Sequence, residues 1–199
     1  MNQYNPQIHH RRSIRLKGYD YSQAGAYFIT ICCDDRVCRF GHIENGVMLL
    51  NGCGQIAYNE WLKLAERFTH FELDVFQIMP NHLHGIIVLT VGDSQNDNGN
   101  VGATLAVDPT DSQNDNGVIR AGASPARTDD PTVGHMVGAY KSLVFNECLK
   151  IYKLNNEQMG KLWQRNYYEH IIRNEQSYQT ISNYIVNNPA SWKDDKFYK

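Results

Sequence analysis

Disulfide spacing, long apolar runs and net charge are all scarce in this 199-residue sequence, and each lack excludes something. The five cysteines (Cys32, Cys33, Cys38, Cys53 and Cys148) include no CxxC pair and make no even framework. Reduced thiols in a cytoplasmic protein fit best. No apolar run approaches the roughly 18 residues that a membrane span needs, and the polar start MNQYNPQIHHRR does not read as a signal peptide. Hydrophobic content of 42% and charged content of 20% are ordinary for a globular chain of one well-packed domain.

The near-neutral charge has an uneven origin. Residues 91–130 hold seven Asp against Arg120 and Arg127, a net of −5 within a total of −2, which leaves +3 elsewhere. Basic residues gather in HHRRSIRLK (9–17), with Arg11, Arg12, Arg15 and Lys17, and around Lys161, Arg165 and Arg173. Such clusters can contact phosphates, although a charge run is more often a solvated face. Lys141 and Ser142, on the helix expected after residue 131, carry the same two readings. Charge therefore permits a nucleic-acid partner without demanding one.

The apolar pattern predicts an α+β domain. AYFITICC (26–33) reads as a first strand, and IENGVMLL as a hairpin about Asn45-Gly46. Ala57, Trp61, Leu64 and Phe68 share a helical face. FELDVFQIM (71–79) and HLHGIIVLT (82–90) read as two strands joined by a Pro-Asn turn. Residues 91–131, with DSQNDNG at 93–99 and again at 111–117, read as a low-complexity insertion. The repeat is no calcium loop, because its Gly is misplaced and no Glu follows at the twelfth position. Helical spacing resumes at Val133, Val137, Tyr140 and Val144. YYEHIIR (167–173) reads as a short strand, and a last helix runs from about Glu175 to Asn188, stopped by Pro189. The order β-β-α-β-β-insert-α-β-α implies helices on an antiparallel sheet, in two or three layers.

Two positions carry chemistry. Strand alternation points His82 and His84 the same way, where neutral nitrogens can bind one divalent cation. An isolated HxH is more often a pair of hydrogen-bonded core histidines, so further ligands are needed. In ISNYIVNNP (181–189), Tyr184 and Asn188 lie four residues apart. That is about 400°, or roughly 40° net, so they share one helical face. Asn188 offers a hard oxygen suited to Mg²⁺ or Mn²⁺, and a tyrosine beside a cation can act as a nucleophile. Simple packing and capping would account for the same residues. Among rival tyrosines, Tyr178 is turned about 600° from Tyr184, roughly 240° net. Tyr167 and Tyr168 have no oxygen ligand one helical turn away.

Together, PNHLHGIIV and the late YIVNNP resemble the HUH (His-hydrophobic-His) single-tyrosine transposases of bacterial insertion sequences, above all the REP-associated branch. RRSIRLKGYDYSQAGAYFITICC and NYYEHIIRNEQSYQTISNYIVNNPASW are also similar to that family, so the resemblance spans nearly everything outside 91–131. It implies a ferredoxin-like HUH fold over residues 1–199, with a flexible insertion at 91–131. It further implies His82, His84 and Asn188 as ligands of Mg²⁺ or Mn²⁺, and Tyr184 as the nucleophile. The implied reaction is cleavage and joining of single-stranded or hairpin DNA through a 5′-phosphotyrosine, by a monomer or homodimer. Arg11, Arg12, Arg15, Lys17, Lys141, Arg165 and Arg173 are the expected backbone contacts, with Glu169 and His170 as structural residues. Two rivals remain: a non-catalytic DNA-hairpin binder that kept the fold, and an HxH hydrolase that would tolerate Tyr184→Phe.

Overall fold

A computed structural model describes residues 23–90 and 132–198 of the chain. The basic arm with Arg11, Arg12, Arg15 and Lys17, and the insertion at 91–131, lie outside the described residues.

Four strands form one sheet: β1 (Gly25–Cys32), β4 (Phe71–Met79), β5 (His82–Leu89) and β6 (Tyr168–Ile172). Their order is β4-β5-β1-β6, with every neighbouring pair antiparallel. The intervening helices are α1 (Gly52–Leu62) with the short α2 (Leu64–Arg67), and then α3 (Val133–Leu154). The βαββαβ course with β5 inserted between β1 and β4 is the ferredoxin-like arrangement. A separate hairpin, β2 (Gly41–Glu44) and β3 (Val47–Leu50), turns at Asn45 and Gly46. Both turn residues have positive φ (50° and 76°), as a type I′ turn requires.

Three of the helices start where a side-chain oxygen caps them. Asn51 accepts from Gly54 N, Thr132 from His135 N, and Asn174 from Ser177 N at the head of α4 (Glu175–Asn187). The predicted elements are all present. The helix expected through Ala57, Trp61, Leu64 and Phe68 begins at Gly52 and breaks at Lys63 into α1 and α2.

Three layers result. One face of the sheet buries Tyr27, Ile29, Ile31, Leu83 and Ile87 against Ala57 and Trp61 of α1 and Val137, Tyr140 and Val144 of α3. Trp61 presses on Gly85, where an added Cβ would sit 2.7 Å from its ring. A glycine in the middle of the HxH strand is what allows that approach. The opposite face carries α4 across β4 and β5. There the core is small: Cys32, Met79, Trp192 and Phe197, with Ile43 packed against it. Asp74 lies within a register shift of β4 between Leu73 and Phe76 and accepts a hydrogen bond from Tyr178 of α4. That contact occupies Tyr178 and helps set the lie of the helix.

Candidate metal and tyrosine site

The site forms where β5 passes beneath the end of α4. His82 and His84 are paired with Cys32 and Thr30 of β1, and their rings stand 4.4 Å apart between centroids. Leu83 between them enters the opposite core, so the alternation read from the sequence holds. Both histidines are fully buried.

Hydrogen bonds fix what His82 can do. Asn81 donates through Nδ2 to the carbonyls of Arg36 and Phe197, so its Oδ1 is the end that faces His82 Nδ1, at 2.9 Å. That nitrogen must therefore carry the hydrogen, and Nε2 keeps its lone pair. Nε2 is buried with no hydrogen-bond partner among the described residues, as is Asn188 Oδ1. A buried acceptor left unpaired is costly unless something else uses it. Both acceptors keep a lone pair of the kind a divalent cation takes.

His84 Nδ1 lies 2.8 Å from the Thr30 hydroxyl, and its Nε2 lies 3.1 Å from the Tyr184 hydroxyl. Tyr184 donates to Asp195 Oδ2 at 3.0 Å, and Asn188 Nδ2 donates to the same oxygen at 2.6 Å. Thr30 can donate or accept, so His84 can present a lone pair at either nitrogen. Tyr184 is 39% exposed while Asn188 is buried. The helix thus holds its amide inward and its phenol at the rim.

Asp195 was not anticipated from the sequence. One ligand atom each from His82, His84 and Asp195 lie within 4.8 Å of one another. The carboxylate reaches the histidines because the tail after Pro189 folds back through a short 3₁₀ turn, Trp192–Asp194. Trp192 and Phe197 pack beside His82, at 5.9 and 4.6 Å between ring centroids. Two neutral nitrogens, a carboxylate and an amide oxygen suit a divalent cation. The residues present fit such an ion.

Burial dominates the electrostatics. It lowers the His82 pKa to about 3, with Lys196 and Arg36 adding to the effect. Burial, followed by the His82 charge, likewise holds His84 well below its usual value. Both imidazoles are thus neutral at pH 7. Burial and the Asp195 carboxylate raise the Tyr184 phenol, so without a cation it stays protonated. Arg36 and Lys196 flank the Phe197 ring at 5.2 and 4.8 Å, bringing positive charge beside the histidines.

The expected backbone contacts are scattered. Arg165 and Arg173 are exposed at opposite ends of β6. Lys141 is half-buried and donates to the carbonyls of Gln164 and Arg165, at 2.7 and 3.1 Å, tying down the segment that leads into β6.

A solved structure of a REP-associated tyrosine transposase bound to a REP hairpin aligns over 98% of this chain and 77% of its own, with a TM-score of 0.53 and 20% identity. The resemblance carried by the histidine and tyrosine motifs is borne out in the architecture: this is the fold of the HUH tyrosine transposases. The chain belongs to one family with an uncharacterized protein of Haemophilus influenzae, 41% identical over 195 residues, 98% of this chain and 97% of the relative. A putative transposase from Deinococcus radiodurans aligns over 87% of this chain and 95% of its own at 15% identity and a TM-score of 0.40. No family model matches the sequence. Among the described residues, no helix is long and apolar enough to cross a membrane.

Proposed function

We propose that the chain is a tyrosine transposase that cleaves and rejoins single-stranded DNA at hairpins, with Tyr184 as nucleophile. His82, His84 and Asn188 would hold Mg²⁺ or Mn²⁺, and Asp195 adds a fourth donor. The observation that carries this reading is the meeting of the Tyr184 hydroxyl, 3.1 Å from His84 Nε2, with the unpartnered lone pairs of His82 and Asn188.

The chemistry balances without an external energy source. The Tyr184 oxygen forms a bond to the scissile phosphorus, and the bond to the 3′-oxygen breaks. The phenolic proton is lost, and one proton is gained by the departing 3′-hydroxyl. The phosphodiester energy stays in the 5′-phosphotyrosine, ready for the reverse step onto another strand. When bound, the ion supplies charge stabilisation at the phosphoryl oxygens. Asp195 orients the Tyr184 hydroxyl and lies within reach of its proton. Arg36 and Lys196 raise the local positive potential for a phosphate. Arg165 and Arg173, with Arg11, Arg12, Arg15 and Lys17 of the amino-terminal arm, serve as backbone contacts. Residues 1–199 act as one domain, interrupted by the 91–131 segment.

The test is direct. Incubated with a single-stranded hairpin oligonucleotide and Mn²⁺ or Mg²⁺, the protein should form a DNA adduct that survives a denaturing gel. Peptide mapping should place the DNA on Tyr184. Binding with no adduct in either metal would favour the hairpin-binder reading. Strand cleavage that persists in Tyr184→Phe would favour a hydrolase.

A further inference from the structure

The face of the sheet that carries the histidines is only partly roofed by described helices. Helix α4 lies across β4 and β5, and the β1/β6 half of the same face presents aromatic rings. Register shows which ones share it. His84 pairs with Thr30, and Thr30 pairs with Tyr168; in the next row Ile86 pairs with Phe28, and Phe28 with His170. Directly opposed residues stand on one face of a sheet, so Phe28, Tyr168 and His170 project on the site side. Glu169, the only acidic residue of β6, points the other way by alternation.

These rings adjoin the chemistry. Phe28 lies 5.3 Å from the His84 ring and meets Tyr184 edge-on at 6.3 Å, both between centroids. Tyr168 is two strands from His84, about 10 Å at the usual strand spacing of about 4.8 Å. Tyr168 is 48% exposed, and His170 is exposed beside it. Among the described residues β6 ends the sheet, and no described strand closes this side. Arg165 and Arg173 stand exposed just before and just after the strand. Planar rings flanked by guanidinium groups match unpaired bases with phosphates on either side. Positive charge at both ends of a half-polar aromatic face argues for an anionic partner rather than an apolar one.

We propose that Phe28, Tyr168 and His170 form a stacking platform for the one or two unpaired nucleotides that flank the phosphate attacked by Tyr184. The proposal rests on the transposase reading for its substrate. It adds that the single-stranded flank is gripped by the open half of the sheet, with Arg165 and Arg173 on its backbone. Ring faces stack on any base, so the platform contributes affinity and placement with little sequence preference.

The experiment measures binding of the full-length protein to two fluorescent oligonucleotides in EDTA, which prevents cleavage. One is a blunt hairpin, and the other is the same hairpin with an unpaired flank. Wild type should bind the flanked hairpin more tightly. Tyr168→Ala should weaken that binding at least about fivefold, the lower end for one lost base stack, with no change on the blunt hairpin. Tyr168→Trp should restore it. Arg173→Ala should weaken binding less and lower the salt slope by about one. A thermal melt of each variant checks folding, and Tyr168 on an edge strand can be truncated without opening the core.

Equal loss on both oligonucleotides, no loss for Tyr168→Ala, or no gain from the flank in wild type would overturn the platform. A drop in sedimenting mass on Tyr168→Ala without an effect on DNA would assign the face to self-association and also overturn it. The adduct assay separates the two levels of inference. Adduct formation with a failed platform leaves the transposase reading standing. Flank binding through Tyr168 with no adduct leaves a single-strand binder and removes the enzyme.

Discussion

The two faces of the central sheet are built on opposite principles, although one strand serves both. Toward α1 and α3, β5 contributes Leu83 and Ile87 to a continuous apolar core with Trp61 and Tyr140. Toward α4 it contributes His82 and His84, whose burial leaves a nitrogen without a partner. The first face is filled with buried apolar side chains. The second retains polar acceptors that no described residue satisfies. Stability and chemistry are thus separated by the thickness of one strand, and adjacent residues should fail in different ways when replaced.

The largest contrast is expected at Tyr184. Tyr184→Phe removes the proposed attacking oxygen, so the covalent adduct should vanish while the melting temperature and hairpin affinity stay nearly unchanged. A residual adduct on another tyrosine, found by peptide mapping, would break the assignment.

Next comes the pair Leu83 and His84. Leu83→Ala opens a cavity in the packed core and should cost about 2–5 kcal/mol, read by urea denaturation, with metal binding intact in the folded fraction. His84→Ala should do the reverse, abolishing divalent-ion binding in a titration at a smaller cost in stability. If the two variants lose stability equally, the division between the faces is wrong.

Metal addition sharpens the same division. An ion held only by the folded state at about a hundredfold excess over its Kd contributes roughly 2.7 kcal/mol. For a chain of this size that is a rise of roughly 5–10 °C in melting temperature. Mn²⁺ should raise the wild-type melting temperature by about this much and leave His84→Ala unmoved.

Asp195→Ala should be milder. It removes one donor and the hydrogen-bond acceptor of Tyr184 and Asn188, so Mn²⁺ affinity should fall about ten- to hundredfold, as for partners that support a metal site. Calorimetric titration reads it directly. An unchanged affinity would remove Asp195 from the ligand set.

Acid acts on the metal-free protein only below the unfolded histidine range. Burial holds His82 near 3 in the folded protein against 6.5 unfolded. Between those values the unfolded chain binds the extra proton, so this contribution is complete above pH 6.5 and is lost as the pH falls toward 3. His82→Asn should flatten that part of the metal-free stability profile. A profile of unchanged slope would show that His82 titrates normally.

Much of this was legible because it depends on local period. The alternation of β5 placed both histidines on one side and Leu83 on the other. The four-residue spacing in α4 brought Tyr184 and Asn188 to the same place. The Asn45-Gly46 turn followed from the positive φ that only a few residues tolerate. Asp195 escaped because it sits in the tail beyond Pro189, where no repeat marks a direction. Arg36 and Lys196 escaped for the same reason, being brought together around Phe197 from positions 160 residues apart. Lys141 looked like a free cation, yet its ammonium is bonded to two carbonyls that only the folded chain puts within reach.

What the sequence by itself determined is the side each residue takes within its own element, since helix and strand periods follow from backbone sterics and hydrogen bonding. Tertiary structure alone decided which elements face one another. Insertion of β5 between β1 and β4 put Thr30 and Cys32 opposite the histidines, and the register shift in β4 gave Tyr178 its Asp74. The fold-back of the tail delivered Asp195. Those meetings depend on long-range packing, whose free energy is shared over the whole core and leaves no mark in any short stretch of the chain.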